Sequence, residues 1–338
     1  MNKSTPRKCA LILGATGGFG SAITRVMANN GWQVKALCRQ PRDAEKNIQW
    51  ISGDLDHPES LRAVANGVDV IVHAVNVPYP KWDPVMVNYT ASIIELAQNA
   101  DAHLIFIGNV YNLGIPDDGV IRCDSPDAPV NEKGKVRSSL EQMIRMASAE
   151  GLRATIMRFG DFFGPGVNKN NWFYECTKNV HKNSLAAAGP IDLPHTWAYL
   201  PDAAAATEKV ATTRLQATEL PNLMVLPFRG HVFSSAELRQ EIEKLTGQSI
   251  TLSNVPWKLF KGLGVVWPLM RDLVSMRYLW QHNIQLDGSA LTELIGEPTH
   301  TSLSHAVQQT IPGLPVNQLI QIQAGNFLST PNRNRNRQ

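Results

Sequence analysis

The sequence predicts an α/β protein: a doubly wound parallel sheet carrying a smaller, mostly helical C-terminal lobe. Two observations carry that prediction. Up to Gly160, short apolar runs rich in β-branched residues alternate with helical patterns, as expected of strands buried on both faces. Beyond Gly160 the alternation breaks down, and the chain becomes mostly helical in pattern and rich in tryptophan.

Taken in order, "CALIL" (9–13) is a strand-like run that ends in glycines. "WQVKALC" (32–38), "IQWIS" (48–52), "VDVIVHAV" (68–75) and "HLIFIG" (103–108) are four more. Helical segments lie between them at 18–30, 58–66 and 84–100, and a further one at about 131–150 leads into the strand "RATIMRF" (153–159). A loop and helix follow over 161–190, then the strand-like "HTWAYL" (195–200) and a helix from "DAAAATEKVA" (202–211), with Asp202 as its N-cap. "NLMVL" (222–226) fits one more strand of the sheet. The expected layout is a nucleotide-type sheet domain over 8–165, completed by about 191–228. A helical substrate or lid lobe would be assembled from 166–190 and 229–325. The polar tail 329–338 has the composition of a disordered end.

Composition excludes several classes. The net charge is +3, but six of the 32 basic residues (Lys3, Arg7, Lys8, Arg333, Arg335, Arg337) sit at the termini. The remaining 26 face 29 acids, so the body is slightly acidic and offers no nucleic-acid face. Four cysteines lack ligand spacing, and nine scattered histidines form no H-x-x-x-H or HExxH, so no metal site is expected. There is no GxSxG elbow. The charged start running straight into a strand is unlike a signal peptide, and the expected setting is reducing and cytoplasmic. In "PWKLFKGLGVVWPLMRDLVSMRYLW" (256–280) the longest uncharged run, 262–270, is 9 residues, whereas a spanning helix needs about 20. No membrane partner is expected.

"LILGATGGFGSAI" sets Gly14, Gly17 and Gly20 where the first strand turns into the first helix. There the backbone must approach a pyrophosphate closely, and the helix N-terminus supplies free N–H groups. This strand–glycine loop–helix context predicts a Rossmann-type dinucleotide site, and the missing lysine rules out an NTPase loop. At the end of the second strand, where NAD recognition calls for an acid, stands Arg39, with Arg42 close by. A guanidinium suits a ribose 2′-phosphate, so NADP(H) is preferred and NAD(H) left open. A plain surface cation is the alternative.

These motifs, over residues 8 to about 230, resemble the extended short-chain dehydrogenase/reductase superfamily. "GATGGFG", with Thr16, Gly17, Gly18, Phe19 and Gly20, matches its nucleotide loop. "GDLDHPESL" matches its adenine-side motif through Asp54 and Leu55. "VIVHAVN" resembles the strand whose end, near Ala74 and Val75, lies under the cofactor, and Asn88 matches an asparagine that helps order the site. "MRFGDFFGP", with Phe159, resembles the loop that passes the nicotinamide. "RDLVSMRYLWQHNIQLDGSAL" resembles the C-terminal part of an NAD-dependent epimerase/dehydratase-like subgroup.

In that superfamily the helix after the fifth strand begins Tyr-x-x-x-Lys, usually followed four residues later by Glu. With Glu141 as that glutamate, Lys133 stands at the tyrosine position and Arg137 at the lysine position, while Asn109 aligns with the usual serine. The Val136, Leu140, Met143, Ile144, Ala147 stripe supports the alignment. The resemblance then implies an oxidoreductase or epimerase/dehydratase acting on a small-molecule carbonyl or hydroxyl with substituted groups. Lys133 would donate a proton or stabilise an oxyanion, its pKa lowered by Arg137. Asn109 would place the substrate oxygen, Arg137 would hold the ribose, and Tyr111 would stand in as the nearest tyrosine. A non-catalytic NADP(H) sensor or partner-binding protein is the competing reading. Trp257, Trp267 and Trp280 would line an apolar pocket or a dimer surface, so a homodimer stays open, with core packing as the plain alternative.

Overall fold

The computed structural model describes residues 8–167, 171–217 and 219–314. The tail 329–338 lies outside them. Seven strands form one parallel sheet: β1 Cys9–Leu13, β2 Gln33–Cys38, β3 Ile48–Ser52, β4 Val70–His73, β5 His103–Gly108, β6 Ala154–Arg158 and β7 Leu223–Pro227. Their spatial order is β7-β6-β5-β4-β1-β2-β3. The chain winds outward from β1 through β2 to β3, then crosses back to β4. The carboxyl ends of β1 and β4 thus flank the switch point where such sheets leave a crevice.

Alternation along β1 explains the layers. Ala10 and Ile12 face one side, with Ile23 and Met27 of α1 (Gly18–Asn29) and Ala203 and Val210 of α4 (Leu200–Gln216). Leu11 and Leu13 face the other side, with Ile93 of α2 (Trp82–Asn99) and Leu140 and Ile144 of α3 (Glu132–Ala149). Both faces are covered, which is why the strands read as uninterrupted apolar runs. In α2, Asp83 departs from helical geometry (φ −103°, ψ 129°), so the regular part starts at Pro84.

The expected helix over 58–66 is only a 3₁₀ turn, Pro58–Leu61, and one α-turn, Arg62–Ala65. Asp202 does not cap α4. Tyr199 occupies that position, and the Asp202 carboxylate, inside the first turn, accepts from Thr301 N at 2.7 Å and Thr301 Oγ1 at 2.8 Å. "HTWAYL" forms His195–Tyr199 but leaves the main sheet. It pairs with Asp161–Phe163 and with His231–Phe233.

The lobe has its own aromatic core, including Phe163, Phe173, Trp197, Phe233, Trp257 and Trp280. It is less purely helical than its pattern predicts. Ser184–Ala187 pairs with Thr251–Asn254, and Gln285–Leu286 pairs with Val120–Ile121, strands too short to show a two-residue period. No helix among the described residues is long and apolar enough to cross a membrane.

Candidate functional site

The glycine loop is shaped by what a side chain would strike. Gly14 has φ +86°, and a Cβ there would fall 2.5 Å from the Ala74 carbonyl oxygen at the end of β4. A Cβ on Gly20 would fall 2.0 Å from the Gly14 carbonyl oxygen. Gly17 is the N-cap of α1, with no side-chain cap bond and no acid in the first turn, so the opening amides keep their donor capacity and the dipole is not offset. That is the chemistry of a phosphate cradle. Thr16 is exposed at its rim. Phe19 and Phe159 instead pack together, ring centroids 5.4 Å apart, and Phe159 is 1% exposed. Their rings serve the core, so only backbone at these two positions is placed to meet a ligand.

Beyond β2, Arg39 is exposed and has no bonding partner among the described residues. Arg42 lies over the Trp50 ring at 4.8 Å. Tyr89 Oη donates to Asp56 Oδ1 at 2.7 Å. Burial, then Asp56 and Asp54, push the Tyr89 phenol up to about 12, while Arg39 opposes them. Arg39, Asp54, Asp56 and Tyr89 therefore share one electrostatic neighbourhood. Leu55 is buried in the core. Asn88 is exposed on α2, and the ordering of β4 falls to its neighbour Thr90, whose hydroxyl meets His73 Nε2 at 3.0 Å. Burial and then Arg137 lower the His73 pKa to about 3, so the ring is neutral. Its Nδ1 accepts from Val75 N–H at 3.4 Å, which leaves the proton on Nε2 for Thr90.

Helix α3 carries Lys133, Arg137 and Glu141. Asn131 Oδ1 caps it by accepting from Gly134 N–H at 3.0 Å. Lys133 Nζ donates to the Tyr79 carbonyl at 2.6 Å and lies 3.1 Å from Asp272 Oδ2, both side chains largely buried. The expectation that Arg137 is the charge governing Lys133 meets a different arrangement here: the ammonium has a carboxylate partner from the lobe. Arg137 is buried, its guanidinium 4.7 Å over the Trp82 ring and 5.5 Å from Phe106, and its Nε has no hydrogen-bond partner among the described residues. Glu141 is committed to Arg158 at 2.7 Å. Asn109 Oδ1 accepts from Tyr111 N–H at 3.1 Å and so shapes the turn after β5.

Sequence reasoning named Tyr111 but missed its partner. The Tyr79 and Tyr111 hydroxyls are 2.9 Å apart. Burial raises both phenols, Tyr79 to about 12 and Tyr111 well above the usual value, and Arg137 pulls each back. Asp161 raises both and is itself held by His195 at 2.8 Å, a ring stacked on Trp280 at 3.7 Å. Tyr79, Asp161, His195 and Asp272 reach this region from four separate segments, so no local spacing could have announced them. The result is a pair of neutral phenols beside a buried cation: donors for an oxygen ligand, not bases near neutral pH.

The model of the NAD dependent epimerase/dehydratase family matches residues 10–219. The chain belongs to this family. Among curated relatives it is 27% identical over 177 residues to UDP-glucose 4-epimerase of Azospirillum brasilense, covering 48% of this chain and 50% of that protein. It is 41% identical over 66 residues to the photosystem II assembly factor Ycf39 of Cyanophora paradoxa, covering 18% of this chain and 21% of that protein. The matched segments thus span half or less of these relatives. Solved epimerase/dehydratase folds superpose widely. MoeE5 in complex with UDP-glucuronic acid and NAD gives a TM-score of 0.71 at 18% identity, over 90% of this chain and 97% of that one. dTDP-glucose 4,6-dehydratase from Bacillus anthracis in complex with NAD gives 0.72 at 14%, over 90% and 95%.

Proposed function

We propose that the chain is an NADP(H)-dependent enzyme acting on a carbonyl or hydroxyl group of a small molecule, with the Tyr79–Tyr111 pair handling the proton. The observation that carries this reading is the 2.9 Å phenol pair beside a buried guanidinium whose Nε lacks a partner among the described residues. The residues present suit the cofactor: a Cβ on Gly14 or Gly20 would strike backbone, so the loop keeps its tight turn at the start of α1, and α3 carries the buried Arg137. Arg39, exposed and without a bonding partner among the described residues, would meet the 2′-phosphate, and Arg137 the nicotinamide ribose. When bound, the cofactor supplies or accepts a hydride at carbon.

The chain's own groups do the rest. A phenol donates its proton to the oxygen of a carbonyl, and Arg137 stabilises the phenolate left behind. The second phenol, already hydrogen-bonded to the first, passes on its own proton to restore it, and solvent completes the chain. Lys133, bonded to the Tyr79 carbonyl, positions the loop that carries one phenol, and Asn109 positions the other.

The test is a titration of NADPH, NADP⁺, NADH and NAD⁺, followed by a carbonyl panel with the preferred cofactor. NADPH should bind at least about tenfold tighter than NADH, and Arg39→Asp should narrow or reverse that gap. Tyr111→Phe and Tyr79→Phe should each lower kcat by about 10²-fold with little change in NADPH affinity. Equal affinity for both cofactors overturns the NADP(H) reading. Tight NADPH binding with no oxidation by any carbonyl favours a non-catalytic nucleotide-binding protein, for which the substituted Tyr, Lys and Ser positions speak.

A further inference from the structure

Nine large hydrophobic side chains are exposed among the described residues, and five of them crowd into 259–267: Leu259, Leu263, Val265, Val266 and Trp267. Leu259 and Leu263 sit on the short helix Trp257–Leu263, and Val265, Val266 and Trp267 on the turn that joins it to a second, Pro268–Ser275. Val265 is 86% exposed, Val266 82% and Trp267 51%. We propose that this helical hairpin docks the protein onto an anionic lipid bilayer, inserting its tip into the interfacial layer.

Three features fit that occupant. The first is charge. From 257 to 271 the hairpin carries Lys258, Lys261 and Arg271, all exposed, and no acid. Basic stems beside an apolar tip suit anionic headgroups, and an indole at the boundary suits the interface. The second is the backbone. Entering an apolar phase requires the amides to be satisfied internally. The N–H groups of the tip meet their share of this: Gly264 N–H donates to Phe260 O at 2.8 Å, Val266 N–H to Leu263 O at 3.1 Å and Trp267 N–H to Leu263 O at 2.9 Å, while insertion no deeper than the interface leaves the carbonyls within reach of water and headgroups. The third is the seating. Trp257 Nε1–H donates to the Ala188 carbonyl at 2.8 Å, and the Trp257 ring packs against Trp172 and Phe260, so the tip is held out from the lobe on a fixed base. A second copy is a poorer occupant, because a twofold contact on this patch would bring like-charged lysines together.

Such docking is independent of a spanning helix, which the chain lacks among its described residues. It also has a geometric consequence. Asp272, which follows the hairpin's last cation, holds Lys133, so the candidate cleft would lie beside the bilayer surface.

The experiment is co-sedimentation of the full chain with vesicles. One set is phosphatidylcholine alone, the other phosphatidylcholine and phosphatidylglycerol in equal parts. The mixed vesicles should retain the protein at least about tenfold better, with retention falling as salt rises. The double variant Val265→Asp/Val266→Asp should stay in the supernatant while NADPH binding and the thermal midpoint hold, since both positions are exposed. Lys258→Glu/Lys261→Glu should remove the preference for anionic vesicles. Equal partition of the wild type between vesicle pellet and buffer control overturns the proposal, as does vesicle binding undiminished in the aspartate variant. A wild-type dimer that the aspartate pair dissociates, without vesicle binding, overturns it in favour of a second copy.

Discussion

Lys133 and Asp272 offer a test of what the first turn of α3 does. The two side chains are 13% and 12% exposed and 3.1 Å apart, and they join α3 to the lobe across 139 positions of sequence. Removing one partner leaves the other charge largely buried, which costs about 3 kcal/mol for such pairs. The residual exposure, and Arg271 Nε 4.0 Å from Asp272 Oδ1, place the cost at the lower end, about 2–3 kcal/mol for Lys133→Met. Asp272→Leu removes the other charge, and the double variant leaves none. If the pair acts as a tether, the double variant should be more stable than the sum of the single losses predicts, with a coupling of about 1–2 kcal/mol. The assay is urea unfolding of all four proteins at one pH, read by tryptophan fluorescence. Single losses that add in the double to within about 0.5 kcal/mol would sink the tether. Turnover gives the second readout. A positioning Lys133 predicts a moderate fall in kcat for Lys133→Met with NADPH affinity kept, and Lys133→Arg should recover part of it. A proton-donating Lys133 predicts loss of about 10²-fold without rescue by arginine.

Other outcomes follow from single contacts. Gly20→Ala drives a Cβ to 2.0 Å from the Gly14 carbonyl oxygen, so NADPH affinity should drop by at least about tenfold, checked by titration with circular dichroism as the fold control. Glu141→Gln leaves the fully buried Arg158 without its carboxylate and should lower stability by about 3 kcal/mol or more, whereas a loss below about 1 kcal/mol would contradict the reading of that pair. His73 and His103 are buried with pKa values lowered to about 3, chiefly by burial, against 6.5 when unfolded. The unfolded chain therefore binds more protons between those values. Stability is full above pH 6.5 and is lost as pH falls towards 3, with a slope of up to about 2.7 kcal/mol per unit from these two rings. Urea midpoints stepped through that range should fall, and a flat profile would refute neutral burial of the rings.

The sheet was legible because its signals are local. β1 through β6 each announce themselves as apolar runs, and the glycine loop follows from Gly14, Gly17 and Gly20 lying between a strand and a helix. Even β7 showed in "NLMVL". The remaining pieces are relations between distant residues. Tyr79 meets Tyr111 across 32 positions and Asp161 meets His195 across 34, and neither pairing leaves a period in the chain. Asp202 read as an N-cap because it precedes an alanine-rich run. It was claimed by Thr301, 99 residues away, which no window of sequence can reveal. The lobe's strands escaped for a plainer reason, being two to four residues long.

The stitching of the lobe to the sheet domain has a mechanical consequence. Gln285–Leu286 adds to Val120–Ile121, Thr301 is bonded to Asp202, and Asn131 Nδ2 donates to the Ser275 carbonyl at 2.8 Å. These attachments come from separate stretches of the lobe. A jaw pinned at three points cannot swing on one hinge. If the cleft is used as proposed, access to the phenol pair would come from side-chain rotation and loop movement rather than from a swing of the lobe. Selection among substrates would act at that entrance as a fixed gauge, and thermal unfolding should release lobe and sheet together in a single cooperative step.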